Sequence, residues 1–159
     1  MNRATIRTAA EDDAEGLVRA HEAAWDATLA PVIGSRLDEL APLLQRVERA
    51  RASLASPPEG TCAWVAETDG EIVGMAVVND AELRDLYVVP SAWGAGVAVA
   101  LMQTALDWIA ARGAEEAFLW VGEANSRARR FYEREGWKAD DETRTSVLGP
   151  PELRYRRLL

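Results

Sequence analysis

The 159-residue sequence predicts an α+β fold: a mixed, mostly antiparallel twisted sheet with helices on both faces and one β-α-β crossover at its centre. Three observations lead there. Residues 61 to 89 hold three β-rich runs separated only by short turns, which marks antiparallel neighbours. A single strand–helix–strand alternation follows, so two of the strands should be parallel and joined by a right-handed crossover. Residues 12 to 54 instead repeat their apolar side chains at helical spacing.

In chain order, "ATIRTA" at 4–9 reads as the first strand. A helix is expected from Asp12 to Leu29, with Ala14, Leu17, Val18, His21, Ala24, Trp25 and Thr28 along one face. His21 lies on that face and is expected to be a core or interface imidazole. "APVIG" breaks the helix. A second helical stretch is expected from Ser35 to Leu54, with Leu37, Leu40, Leu44, Val47 and Leu54 as its stripe and Pro42 kinking or splitting it. After the loop "SPPEG", the strands "TCAWVAET" and "EIVGMAVV" meet at Asp69-Gly70, a dipeptide that readily takes the positive φ of a tight hairpin. "AELRDLYVV", residues 81–89, is the third run. The Ala- and Val-rich helix from Gly94 to Arg112 ends at Gly113, a C-cap. "EAFLWVG", residues 116–122, reads as a strand buried on both faces. A helix from Asn125 to Glu135 closes at Gly136, and strands at 141–148 and 152–158 complete the sheet.

A chain of this length is expected to form one domain, residues 1–159, burying roughly 68–70% of its unfolded surface. No apolar run reaches the roughly 20 residues that span a bilayer, and the N-terminus turns acidic where a signal peptide turns apolar. A cytoplasmic location is therefore expected. Cys62 is the only cysteine and sits in a strand pattern, where it packs as a small hydrophobe rather than acting as a nucleophile. With His21 the only histidine, no multi-histidine metal site can form, and no metal is expected. The net charge of −8 argues against a nucleic-acid groove and favours a cationic small substrate. Lys138, the sole lysine, lies in a polar turn with no burial to activate it for Schiff-base chemistry.

The chemistry concentrates in "VVPSAWGAGVAVALM", residues 88–102: a strand, a turn with two glycines, then a helix. That order offers backbone N–H groups to phosphate. A Walker-type loop is excluded because nothing basic follows Gly96. A dinucleotide fingerprint would need a third glycine where "GAGVAV" has valine; Glu123 could serve as its ribose acid, but only one β-α-β unit is available. Coenzyme A remains. Its pyrophosphate needs several N–H donors and its pantetheine a free strand edge.

Here the chain resembles the GNAT superfamily of N-acetyltransferases. Trp93-Gly94-Ala95-Gly96-Val97-Ala98 matches that family's [QR]-x-x-G-x-[GA] helix start in all but its first place. "NSRARRFYEREGW", residues 125–137, matches its second motif, in the expected order and on the expected elements. The resemblance covers nearly the whole chain and implies a GNAT-like sheet, acetyl-CoA as cosubstrate, a primary amine of a small molecule or possibly a protein N-terminus as acceptor, and a possible homodimer. A coenzyme-A-binding module without catalysis is the alternative, and a nicotinamide oxidoreductase is a further rival.

The resemblance further implies that Gly94, Ala95, Gly96, Val97 and Ala98 seat the pyrophosphate. Trp93 stands where Arg or Gln is usual and removes one polar side chain from that seat. Pantetheine is expected between the strands ending at Val89 and Gly122, bonding backbone near Tyr87 and Val88, with an amide near Val88 as the oxyanion donor. Asn125 is implied to bind the pantetheine arm and Tyr132 to protonate the leaving thiolate. Glu82 is the first candidate for the base that deprotonates the amine; Asp85, expected on the opposite strand face, and Glu123 are reserves, and a water or no base remains open. Arg127, Arg129, Arg130 and Arg134 form either a solvated face paired with Glu133 and Glu135 or a contact for the 3′-phosphate. The acceptor is expected near Trp25 and "TLAPVIG".

Overall fold

In a computed structural model, residues 3–146 and 150–159 are described. Seven strands form one sheet: β1 (Thr5–Thr8), β2 (Thr61–Thr68), β3 (Glu71–Asn79), β4 (Glu82–Val88), β5 (Glu116–Gly122), β6 (Lys138–Arg144) and β7 (Glu152–Leu158). Their order is β1-β2-β3-β4-β5-β7-β6, and the β4–β5 pair is parallel while the others are antiparallel. The final strand therefore inserts beside β5 and pushes β6 to the edge. The expected strand at 141–148 begins earlier, at Lys138, directly after the buried Trp137; residues 147 and 148 lie outside the described residues.

The β2–β3 turn has Asp69 at φ 52° and Gly70 at φ 81°, the left-handed pair that a two-residue hairpin requires. Helix α1 (Ala14–Thr28) buries the anticipated stripe of Ala14, Leu17, Val18, Ala24 and Trp25. The "APVIG" segment, expected only to break the helix, itself forms a short helix, α2 (Ala30–Ile33), that ends at Gly34. The second helical stretch splits at Pro42 as expected, into α3 (Leu37–Leu40) and α4 (Leu43–Ala55), with Pro42 as the N-cap of the latter. Pro42 cannot donate the bond that would continue α3, so the helical phase restarts after it. Leu44 is consequently 76% exposed and Leu43 and Ala50 face the core instead, while Val47 and Leu54 pack there as expected.

Helix α5 (Val97–Ala111) and helix α6 (Ser126–Arg134) pack on one face of the sheet, and α1 with α4 on the other. Leu101, Met102, Ala105 and Ile109 of α5 lie against Trp64, Ala76, Val78 and Leu119. Leu17 and Val18 of α1 meet Val65, Met75 and Val77. Burying each Leu or Ile side chain in this way contributes about 1.5–3 kcal/mol. Strand β5 is not equally buried on both faces: Ala117, Leu119 and Val121 are buried, while Phe118 and Trp120 between them are only half-buried. Its C-terminal end, Trp120 to Gly122, lines the cleft described next. Among the described residues, no helix is long and apolar enough to cross a membrane.

Candidate active site

Strands β4 and β5 share a single registered pair, Glu82 with Phe118. Beyond it a cleft of about 1030 Å³ opens, with Leu86, Tyr87 and Val88 on one wall and Trp120, Val121 and Gly122 on the other. The Val89 amide donates to the Val73 carbonyl at 2.9 Å, so Val89 faces β3. By strand alternation the N–H and C=O of Val88 face the opposite way, into the cleft. Val88 thus offers its peptide to the cleft as expected; Tyr87 lines the cleft too, but its peptide faces β3. Val89 does not line it, because its amide is committed to the sheet.

The glycine turn closes one end. Gly94 and Gly96 have φ 78° and 77°, so α5 starts only at Val97 rather than at Gly94. A Cβ built on either glycine meets no atom within 4 Å. The first N–H groups of α5 lack helical partners and sit at the positive end of its dipole. Gly94, Gly96, Val97 and Ala98 line the cleft, whereas Ala95 does not. This open cradle of glycine and unpaired amides fits a phosphate.

Trp93 does not merely vacate a polar position. Its indole Nε1–H donates to the Val88 carbonyl at 2.9 Å, and the Arg127 guanidinium carbon lies 3.7 Å from its ring centroid. Asn125, which lines the cleft, is the N-cap of α6, its Oδ1 accepting from the Ala128 amide at 3.1 Å, and this cap does not use its amide nitrogen.

Tyr132 also stands in the cleft wall. Its ring is held edge-on by Phe131 at 5.2 Å and Trp137 at 5.9 Å. Trp137 is fully buried, and its Nε1–H points to the Met102 sulfur at 3.3 Å, tying the end of α6 to α5. Burial, followed by the Asp85 carboxylate, pushes the Tyr132 phenol well above its ordinary pKa. It is therefore protonated at neutral pH.

The carboxylates depart from the expected arrangement. A bulge lets Val77 and Val78 face Asp85 and Leu83, so Arg84 is the extra residue. Leu83, Leu86 and Val88 consequently share the α5 side, while Tyr87 packs on the α1 side with Asp85 two residues before it. Across the bulge Glu82 and Asp85 fall on one face, not on opposite faces. Asp85 lines the cleft; Glu82 and Glu123 do not. Burial raises the Glu82 carboxyl, with Arg144 and Arg84 opposing. Glu152 of β7 reaches the cleft too, paired with Arg144, a contribution that the sequence reading missed because β7 had no visible partner strand.

Trp25, Thr28, Leu29 and Ile33 line the opposite end, where the acceptor was expected. His21 packs against Tyr87 with ring centroids 4.2 Å apart, and burial lowers its pKa. Cys62 packs against the core, and burial raises its thiol pKa. The arginine run divides: Arg127, Arg130 and Arg134 line the cleft, while Arg129 is used by the Tyr155 hydroxyl and the Glu123 carbonyl. Arg134 pairs with Glu135, but Glu133 is taken by Tyr155. Among the described residues there is no group of three or more His, Cys, Asp or Glu that could hold a metal ion.

Residues 18–137 match the family model described as "Acetyltransferase (GNAT) family". An uncharacterized N-acetyltransferase of Mycobacterium tuberculosis is 43% identical over 93 residues, 53% of this chain and 56% of that protein. The chain thus matches little more than half the length of that relative. Two solved structures share the fold: a GCN5-related N-acetyltransferase from Rhodopseudomonas palustris (TM-score 0.77, 21% identity, 100% of this chain and 98% of that one) and PaiA N-acetyltransferase from Thermoplasma acidophilum in complex with coenzyme A (TM-score 0.73, 22% identity, 100% of both chains).

Proposed function

This chain belongs to the acetyltransferase (GNAT) family, and from that premise we propose that it transfers the acetyl group of acetyl-CoA directly to the primary amine of a small molecule. The observation that carries the reading is the cleft between β4 and β5, with an open glycine cradle at one end and Tyr132 in its wall. The PaiA relative of like fold was solved with coenzyme A, which supports the same class of donor here.

The amides from Gly94 to Ala98 receive the diphosphate, and the cleft-facing peptide edge of Leu86 and Val88, beside Tyr87, receives the pantetheine arm, as does the Asn125 amide. The Val88 N–H polarises the thioester carbonyl as negative charge develops on its oxygen. The amine nitrogen forms the new C–N bond as the C–S bond breaks. Tyr132 gives its proton to the departing thiolate and is reprotonated, through water, by the proton that the nitrogen sheds after attack; before attack the ammonium has to lose a proton of its own. Asp85, rather than Glu82, takes that proton directly or through water, because Asp85 lines the cleft. A net charge of −8 favours encounter with a cationic amine.

The test is thermal unfolding with acetyl-CoA beside NAD and ATP, followed by thiol release across a panel of amines. Ligand at about 100 Kd adds roughly 2.7 kcal/mol. A shift with acetyl-CoA alone and amine-dependent thiol release are expected; a shift with NAD alone would overturn the proposal. Asp85→Asn should slow thiol release and Glu82→Gln should not. The reverse result returns the base to Glu82.

A further inference from the structure

The acidic chain must hold a doubly charged diphosphate at a turn that carries no cation. Between Arg84 and Arg112 it has neither lysine nor arginine, so the turn and the whole of α5 offer only amides and a dipole. An arginine reaches the turn from a different element. Arg127, in the first turn of α6, lies over the Trp93 ring, 3.7 Å from the guanidinium carbon to the ring centroid. Trp93 in turn is fixed by its 2.9 Å hydrogen bond to the Val88 carbonyl.

Stacking uses the guanidinium face and leaves its N–H edge free for bidentate contact with phosphate oxygens. Arg127 is exposed, and among the described residues no carboxylate pairs with it. Two of its neighbours differ: Arg129 is committed to Tyr155 and the Glu123 carbonyl, and Arg134 lies near Glu135 and over Phe131; Arg130 also lines the cleft but is not stacked on Trp93. Arg127 and Trp93 both line the cleft, together with Gly94 and Gly96.

We propose that Arg127, pre-oriented by the Trp93 indole, is the cation that binds the donor's diphosphate from across the cleft. The proposal rests on the acetyl-CoA reading above. Trp93 is then a positioning residue that links the strand carrying Val88 to the arginine of α6.

Calorimetric titration with coenzyme A and with 3′-dephospho-coenzyme A tests this. Arg127→Ala should weaken both ligands alike, by about tenfold, the scale of one charge-assisted contact. Trp93→Leu should weaken both in the same way, and Trp93→Phe, which keeps a ring beneath the guanidinium, should weaken them less. Trp93→Arg should restore binding in the Arg127→Ala background by returning a cation to the turn. Unchanged affinity in Arg127→Ala overturns the proposal, as does a loss confined to coenzyme A, which would assign Arg127 to the 3′-phosphate. Failure of the unmodified protein to bind either ligand is a distinct result and removes the acetyl-CoA reading itself.

Discussion

Substituting alanine at Gly96 separates the phosphate seat from the backbone conformation that builds it. Gly96 has φ 77° and no atom within 4 Å of an added Cβ, so the methyl clashes with nothing in the protein. The cost is that of holding an L-residue in the left-handed region, about 1–2 kcal/mol. For a chain of this size that lowers Tm by roughly 2–8 °C. The methyl also projects into the open cradle, where it keeps phosphate oxygens from reaching the amides at hydrogen-bond distance. Gly113, beyond the other end of α5, supplies a matched control: φ is 91° and nothing lies within 4 Å, but it does not line the cleft. Gly96→Ala and Gly113→Ala should therefore melt at similar temperatures. Only Gly96→Ala should lose the stabilisation by acetyl-CoA, with Kd rising about 100-fold for the loss of two contacts with charged groups. Calorimetry and thermal unfolding read both quantities. Equal donor affinity in the two variants would refute the assignment of the glycine turn as a phosphate seat.

Tyr132→Phe keeps the ring contacts with Phe131, Trp137 and Tyr155 and removes only the hydroxyl. Thiol-release kinetics should show kcat down by about 100-fold or more with donor affinity unchanged; an unaltered kcat would end the acid role. His21 gives a pH signature. Burial lowers its folded pKa below 6.5, with Arg46 acting the same way and Asp85 and Glu22 opposing. The unfolded chain then binds more protons than the folded one below about pH 6.5, so stability falls as pH drops through that window and levels off below the folded pKa. The slope is at most about 1.4 kcal/mol per pH unit for one proton, and in denaturant titrations it should disappear in His21→Phe. A slope that persists in His21→Phe would assign it to another group.

Local chemistry made much of this molecule legible. Asp69-Gly70 declares its hairpin because few other dipeptides take two successive left-handed residues, and Gly94 and Gly96 announce the turn for the same reason. The α1 stripe was readable because nothing interrupts its period. Where the period is reset, reading failed: Pro42 rephases the following helix and exposes Leu44, and the bulge at Arg84 turns Asp85 to the same face as Glu82. Neither shift changes composition or alternation in a way that a one-dimensional pattern records. Contacts between distant elements were equally hidden. Trp93 looked like a missing polar group until α6 brought Arg127 onto its ring, and Glu152 entered the cleft only because β7 inserts between β5 and β6.

The lone rung between β4 and β5 also makes the sheet two plates joined along a seam. One plate is β1 to β4, the other β5, β7 and β6, with α5 strapped across their junction. On the seam edge the peptide N–H groups of Leu86 and Val88 face no neighbouring strand, and the Val88 carbonyl accepts from the Trp93 indole instead. A ligand lying along that edge stands in for the absent strand, so its departure unzips the middle of a sheet rather than merely emptying a pocket. Deuterium uptake at Leu86 and Val88 should be fast in the free protein and slow with acetyl-CoA bound, while Tyr87, whose peptide faces β3, stays protected in both. Equal uptake at Val88 in the two states would mean that the plates are braced by something else.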